Sequence, residues 1–243
     1  DSNAAYHRLA MRIGIQKHSY KLWWAAAASF LLLLSFAGIY NYLNQTTTLY
    51  ATASTTTYTL ADGTKVTLSP QSSLSYKDTN CRDVEITGKV YLDIFHNPNK
   101  PFTISDDSYR INDIGTRLEV DETAKSTTVY VDQGAVSFAS TSDISHALVL
   151  NQGCKAILRK SGIHPEKIET KSANCVSWAT HKFRFRDTPL REVLADLSDY
   201  YKVSFVSDNY NVNLTADFRA DNLNTIVNMI QKSLDVKIKY KAE

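Results

Sequence analysis

The stretch from Leu22 to Leu43 constrains the fold most, because its 22 residues include no Asp, Glu, Lys or Arg. A helix of that length measures about 33 Å at about 1.5 Å per residue, which matches a bilayer hydrocarbon core of about 30 Å. A helix also satisfies every backbone polar group within the segment, as lipid requires. The sequence therefore predicts a transmembrane helix over residues 22–43.

The charged flanks of this stretch predict its orientation. Four basic residues precede it, and the next basic residue after it is Lys65. Because basic residues favour the cytoplasmic side, the N-terminus is expected in the cytoplasm and the long remainder across the membrane. Residues 1–21 are predicted to form a short juxtamembrane amphipathic helix. The four basic residues are Arg8, Arg12, Lys17 and Lys21.

Two other interpretations of the apolar stretch stay open. A buried core helix is one, although such a helix usually keeps a polar face and this stretch has none. A cleaved signal peptide is the other, and Ser35–Ala37 supplies the small-x-small pattern that cleavage needs. The length and the aromatic residues at both ends favour the membrane span.

Composition excludes several classes of function. The net charge of +2 gives no nucleic-acid-binding surface. Three widely spaced cysteines without a CxxC motif predict neither a disulfide scaffold nor a zinc site, although one bridge beside a free thiol stays open. The histidines are scattered, so no metal site and no cofactor are expected. No motif of a hydrolase, metalloprotease or nucleotide-binding enzyme occurs, and the chain is therefore not expected to be an enzyme.

Two regions of different composition follow the apolar stretch. Residues 44–57 are rich in Thr, Ser and Ala and are predicted to be an extended linker. Residues 58–170 contain many short alternating runs punctuated by Gly, which predicts an all-β domain, a short-strand sandwich or solenoid. Asp62-Gly63 between two such runs is a strong hairpin signal.

The Gly115-Thr116 step has two interpretations. The first is a tight turn that needs Gly for its backbone conformation. The second is self-cleavage, in which the Thr hydroxyl attacks the preceding carbonyl and gives an ester that water opens. The turn is favoured because no general base can be named.

An internal repeat marks residues 171–243. Leu190, Val193, Leu194 and Leu197 show helical spacing, and Leu223, Ile226, Val227 and Ile230 show the same spacing 33 residues later. Alternating apolar residues flank both helices, so the order β-α-β-β-α-β is predicted, with one small sheet carrying two helices on one face. Thr188 and Asp221 are the predicted N-caps.

The strand Phe183-Arg184-Phe185-Arg186 opens this repeat. If both Phe side chains face the helices, Arg184 and Arg186 point to solvent. A solvated polar face is the default, and contact with a partner is the functional alternative.

The ordered motifs of residues 58–240 resemble FecR-type anti-sigma factors, and the last part resembles the C-terminal domain of Bacteroidetes members. These motifs are Leu60-Ala-Asp-Gly-Thr-Lys-Val-Thr-Leu68, Ser73-Leu-Ser-Tyr76, Val84-Glu-Ile-Thr-Gly88-Lys-Val-Tyr91, Asn99-Lys-Pro-Phe102, Ile114-Gly-Thr-Arg-Leu-Glu-Val120, Val129-Tyr-Val-Asp-Gln-Gly134-Ala-Val136, Leu150-Asn-Gln-Gly153 and Trp178 with Phe183-Arg-Phe-Arg-Asp-Thr-Pro-Leu190. Asp113 departs from the family, which commonly has an apolar residue there. Some members are cleaved at their Gly-Thr step.

The resemblance implies a single-pass inner-membrane regulator with periplasmic C-terminal domains. Its implied partners are the periplasmic signalling domain of a TonB-dependent receptor and a cytoplasmic ECF sigma factor. The family's N-terminal sigma-binding domain is not among the residues given, so no residue here is assigned to sigma binding. A membrane-anchored envelope scaffold or glycan-binding protein is the alternative.

Overall fold

The computed structural model of the chain describes residues 20–113, 115–170 and 172–242. The boundary between two compact units falls between Gln45 and Thr46. The first unit contributes one helix to the described residues, and the second contains all of the described strands.

Helix α1 runs from Tyr20 to Leu43. Its segment Trp23–Leu43 is long and apolar enough to cross a membrane, and its side chains are exposed along that length, which those of a core helix would not be. Ser29 and Ser35 donate their hydroxyls to the carbonyls of Ala25 and Leu31 at 2.5 and 2.9 Å, so both are satisfied within the helix. The helix predicted over residues 1–21 lies outside the described residues, apart from its last two positions.

Thirteen strands form the β domain, residues 46–168. They are β1 Thr46–Ala51, β2 Thr56–Thr59, β3 Lys65–Leu68, β4 Ser72–Lys77, β5 Asn80–Asp93, β6 Phe102–Ser105, β7 Tyr109–Asp113, β8 Arg117–Glu122, β9 Ser126–Gln133, β10 Ala135–Ser140, β11 Asp143–Asn151, β12 Lys155–Arg159 and β13 Glu166–Ile168. The predicted hairpin is present: β2 pairs with β3 across Gly63, whose φ is +90°. The mostly β architecture predicted from the sequence is therefore confirmed.

Strand β5 connects two halves of this domain. Up to Thr87 it pairs with β4, and from Gly88 onward it pairs with β8 and β3. Gly88 has φ +81°, and a Cβ there would lie 2.5 Å from the Ser72 hydroxyl, so only Gly fits this bend. The sheet consequently folds over, and apolar residues of both halves form one continuous core.

The structure corrects the prediction that residues 44–57 form an extended linker. Residues 46–51 form β1, which pairs antiparallel with β4 from Thr46↔Lys77 to Ala51↔Ser72. Ala51 is buried and Leu49 packs against the core. Threonine-rich segments suit a half-buried strand, and the free backbone groups of β4 supply the partner. The β domain therefore begins at Thr46 rather than at Tyr58.

A buried arginine ties two loops of the β domain together. Arg82 is only 2% exposed and forms an ion pair with Asp62 of the β2–β3 hairpin. Its guanidinium also donates to the carbonyls of Lys100 at 2.6 Å and Phe95 at 3.1 Å, and lies 5.4 Å from the Phe102 ring centroid. The cation is thus paired and hydrogen-bonded through Nε and Nη1, as burial of a charge requires, whereas Nη2 has no hydrogen-bond partner among the described residues.

The C-terminal module, residues 172–242, has the predicted β-α-β-β-α-β order. Its elements are a 3₁₀ turn Ala173–Val176, α2 Ser177–Thr180, β14 Lys182–Pro189, α3 Leu190–Tyr201, β15 Val203–Ser207, β16 Asn213–Arg219, α4 Leu223–Leu234 and β17 Ile238–Ala242. Of the helical positions predicted to face the core, all are buried except Leu223, which packs against it.

The strand pairing of the module differs from the prediction of one small sheet. Strand β14 pairs with β16 and β15 pairs with β17, both antiparallel, as two separate two-stranded sheets. Each strand therefore pairs with its counterpart in the other repeat, because neither β-α-β copy covers its own apolar residues alone. The N-caps are also corrected, to Pro189 and Asn222.

Candidate partner interface

A row of side chains crosses the β domain on the face opposite its core. Register places Thr67 beside Tyr91, Tyr91 beside Glu119, Glu119 beside Tyr130 and Tyr130 beside Lys155. Because alternate residues of a strand face opposite sides, these five side chains share one surface. We call them the cross-strand row.

The start of the C-terminal module covers this row. Val176 packs with Tyr91 and Tyr130, and Trp178 packs against the same cluster. The Trp178 indole Nε1 donates to Glu119 Oε2 at 2.5 Å. Glu119 is 3% exposed, so strand β8 is covered on both faces.

Lys89 completes this contact. Its Nζ lies 3.1 Å from Glu119 Oε2 and 5.2 Å from the Trp178 ring centroid, so it interacts with both the carboxylate and the ring. We call Trp178, Glu119 and Lys89 the Trp178 latch. The latch joins the C-terminal module to the β domain through a desolvated, charge-assisted hydrogen bond.

The cysteine beside the latch is inert at neutral pH. Burial raises the pKa of the Cys175 thiol to about 12, so it stays protonated and is neither a nucleophile nor a ready metal ligand. Cys81 and Cys154 are free as well, so the described part of the chain contains none of the disulfides that the sequence left open.

A cleft of about 650 Å³ lies between the β domain and the module, lined in part by Tyr91 and Val176. Three carboxylates on its wall already have partners. Asp93 bonds to Arg117 at 3.0 Å and Asp132 accepts from the Tyr91 hydroxyl at 2.9 Å. Asp217 pairs with Arg186 at 2.8 Å. The wall carries five basic side chains, Lys65, Arg117, Lys182, Arg184 and Arg219, against these three carboxylates, so we call it the basic cleft.

Arg184 and Arg186 lie on the exposed face of β14, while Phe183 and Phe185 are buried. The two arginines differ in their surroundings. The hydrogen bond from Arg186 lowers the pKa of Asp217, so Arg186 is engaged within the module. Arg184 lines the basic cleft and is the more available of the two.

The strand edge at Arg184 is occupied. Its backbone N–H donates to Asn174 Oδ1 at 2.7 Å, and its carbonyl accepts from Asn174 Nδ2 at 3.2 Å. Backbone pairing with a partner strand is therefore blocked at this position, and the Arg184 side chain is the group that faces the cleft.

Gly115 and Thr116 form a tight turn held by Asp113. One carboxylate oxygen of Asp113 accepts from the N–H groups of Gly115 at 2.8 Å and Thr116 at 3.0 Å. Gly115 has φ +150°, and a Cβ there would lie 2.5–2.7 Å from His96. The departure at Asp113 thus has a local reason. The Thr116 hydroxyl is buried without a hydrogen-bond partner among the described residues.

The described residues thus contain one membrane-capable helix, a β domain and an α+β module that is latched to it. The FecR protein family model matches residues 47–137, and the model of the FecR C-terminal region matches residues 182–243. Together these matches span more than half of the chain. The chain belongs to the FecR family, which confirms the resemblance to FecR-type anti-sigma factors.

Two solved structures share the fold. Both are crystal structures of a candidate anti-sigma factor from Parabacteroides distasonis. One is 18% identical, covers 81% of this chain and 99% of that chain, and has a TM-score of 0.50. The other is 19% identical, covers 82% and 100% of the two chains, and has a TM-score of 0.50. No curated protein matches the chain.

Proposed function

We propose that the protein is a transmembrane anti-sigma regulator, which relays a signal from a TonB-dependent receptor to a cytoplasmic ECF sigma factor. The observation that carries the proposal is the order of a membrane-capable helix and two FecR regions. The Trp178 latch supports it, because a contact on the module can then reach the β domain.

The orientation follows from charge in this proposal. Basic residues precede α1, and the next one after it is Lys65, which favours a cytoplasmic N-terminus and periplasmic domains on an inner-membrane anchor. A reporter active only in the periplasm, fused after Glu243, is expected to be active. Activity of a cytoplasm-only reporter at the same position would contradict the orientation.

The receptor's periplasmic signalling domain is proposed to approach through the basic cleft. Arg184 faces the cleft with Lys182 and Arg219, and these charges suit a partner with an acidic surface. Charge complementarity of this kind mainly accelerates association. Arg186 contributes to the same face of β14, although it is already paired with Asp217.

The relay needs only a modest energetic coupling. A coupling free energy of about 1–3 kcal/mol between two sites changes affinity by about 5–150-fold. The latch is of this order, since a hydrogen bond to a charged group contributes about 1.5–3 kcal/mol. Displacing Trp178 from Glu119 is therefore a suitable switching event.

Deletion of the gene in its host tests the function. We expect the transcription of promoters served by one ECF sigma factor to change, and the wild-type gene to restore it. The variant Trp178→Phe is expected to restore basal control while weakening the response to the receptor's ligand. If no such promoter responds to deletion, the regulatory proposal is wrong and an envelope scaffold or glycan-binding role becomes the better explanation.

A further inference from the structure

Three side chains of metal-ligating type meet on the surface of the β domain. Asp143 and His146 lie on β11, and His164 lies between β12 and β13. Asp143 Oδ2 is 2.7 Å from His146 Nδ1 and 4.0 Å from His164 Nδ1. The two imidazole centroids are 5.0 Å apart, and one ligand atom from each residue lies within 4.8 Å of the others. The sequence predicted no such group.

We propose that Asp143, His146 and His164 bind a divalent transition metal ion of the Zn²⁺ class. Imidazole nitrogens and a carboxylate oxygen are the ligands that Zn²⁺ uses in three-ligand sites. With metal–ligand bonds of about 2.0–2.2 Å, tetrahedral ligand atoms lie about 3.3 Å apart. The distances of 2.7 and 4.0 Å fall on either side of that value, and all three ligand atoms lie within 4.8 Å of one another, so shifts of about 1.5 Å or less create the site.

The carboxylate is already oriented for this role. Ser145 Oγ donates to Asp143 Oδ1 at 2.5 Å, which holds one oxygen and leaves Oδ2 directed at the histidines. Such outer partners fix the position of metal ligands. The side chains of His146 and His164 are 69% and 50% exposed, so water can complete the coordination. The arrangement is that of an open site rather than a closed structural one.

A polar cluster that merely fastens the hairpin explains only part of this geometry. It accounts for the contact between Asp143 and His146. It gives His164 no hydrogen bond to the carboxylate, because its Nδ1 is 4.0 Å away, beyond hydrogen-bonding distance, and the ring instead contacts that of His146. An ion bridging the three groups uses the His164 nitrogen that makes no hydrogen bond to the carboxylate.

The site is independent of the proposed regulation. Its three residues lie on β11 and in the loop between β12 and β13, whereas Arg184 lies on β14 of the C-terminal module and lines the basic cleft. Metal binding would tie the loop that carries His164 to the β10–β11 hairpin. A ligand that binds only the folded state raises thermal stability, so bound metal is expected to raise Tm.

The test uses the full chain in nanodiscs, without a polyhistidine tag and stripped of metal with EDTA. Zn²⁺ is titrated by calorimetry, and Co²⁺ is used as a spectroscopic probe because its visible d–d bands report nitrogen and oxygen ligation. The variants are Asp143→Asn, His146→Gln and His164→Gln. The matched control is His96→Gln, which changes an exposed histidine outside the cluster.

We expect the wild-type protein to bind one equivalent of Zn²⁺ at the cluster, and each variant to lose at least about 10–100-fold in affinity, as loss of even an outer-shell partner does. The Co²⁺ bands should weaken in the variants and persist in His96→Gln. The proposal is overturned if no Zn²⁺ binds, if the three variants bind as the wild type does, or if His96→Gln loses as much. Circular dichroism checks that each variant folds. If the other two variants misfold, His164→Gln alone tests the site, because its side chain is exposed in a loop.

Discussion

The β domain and the C-terminal module are each stabilised by a different kind of interaction. The β domain depends on long-range pairing, with the 14-residue strand β5 shared by both halves and a buried arginine joining two loops. The module instead repeats one unit, and its core consists of apolar side chains from both copies. Both regions have an apolar core, but the β domain adds a buried ion pair between strand and loop, whereas the core of the module follows the helical period of its repeat.

The largest effect is expected at the buried charge of the β domain. Arg82→Met leaves the Asp62 carboxylate without its cation, and breaking a buried ion pair costs about 3–5 kcal/mol. Urea unfolding measured by the β-sheet signal checks this. Arg110→Met is the matched control, because Arg110 is exposed on β7, and its cost is expected to stay within about 0.5 kcal/mol. Equal losses of unfolding free energy in the two variants would contradict a special role for the buried ion pair.

The second effect concerns the repeat of the module. Leu194 and Val227 occupy equivalent helical positions and are 4% and 3% exposed. Leu194→Ala should cost about 2–5 kcal/mol, and Val227→Ala less, because fewer atoms are removed. Hydrogen exchange should increase across α3 and α4 more than in the β domain. Met229→Ala, an exposed position on α4, is the control, and a cost below about 0.5 kcal/mol at both core sites would contradict the repeat.

A smaller effect is expected where the two regions meet. Trp178→Phe keeps an aromatic ring but removes the indole N–H that bonds to Glu119, and loss of this hydrogen bond should cost about 1.5–3 kcal/mol. A double-mutant cycle with Glu119→Leu, which removes the acceptor, measures this coupling directly. Additive costs within about 0.3–0.5 kcal/mol would show that the latch does not couple the regions.

The smallest effect on stability is expected at Thr116. Because its buried hydroxyl has no hydrogen-bond partner among the described residues, Thr116→Val should be nearly neutral. The same variant tests self-cleavage, which stays a prediction. If the chain cleaves itself there, purified wild-type protein yields two fragments split after Gly115, and Thr116→Val stays intact. An intact wild-type band after long incubation would leave only the turn role.

Local patterns in the sequence predicted the module well. The helical spacing of Leu190–Leu197 and its repetition 33 residues later give the correct element order, because each helix carries its own period. The pairing of β14 with β16 was not predicted, since antiparallel contact between counterparts depends on the whole module. The N-cap predicted for the first helix was wrong by one residue, because Pro189 rather than Thr188 directly precedes the first helical residue, Leu190.

Non-local features of the β domain escaped sequence analysis. The cross-strand row arises from the register among five strands, which no local pattern encodes. Alternation around the apolar residues Leu118 and Val120 predicts that Glu119 faces solvent, but the module covers it. Residues 46–51, predicted as part of a linker, likewise form β1 because they pair with β4. Asp113 departs from the family pattern for a local reason, because Asp followed by Gly two residues later is a sequence signal of an Asx turn.

The measurement that tests the account most directly is association between the full chain in nanodiscs and the receptor's periplasmic signalling domain. Arg184→Glu is compared with Lys167→Glu, an equal charge reversal at an exposed residue of β13. The account predicts that Arg184→Glu slows association about tenfold or more at low salt and weakens its salt dependence, while Lys167→Glu behaves as the wild type. Unchanged binding by Arg184→Glu, or an equal loss with Lys167→Glu, would contradict the assignment of the basic cleft as the partner site.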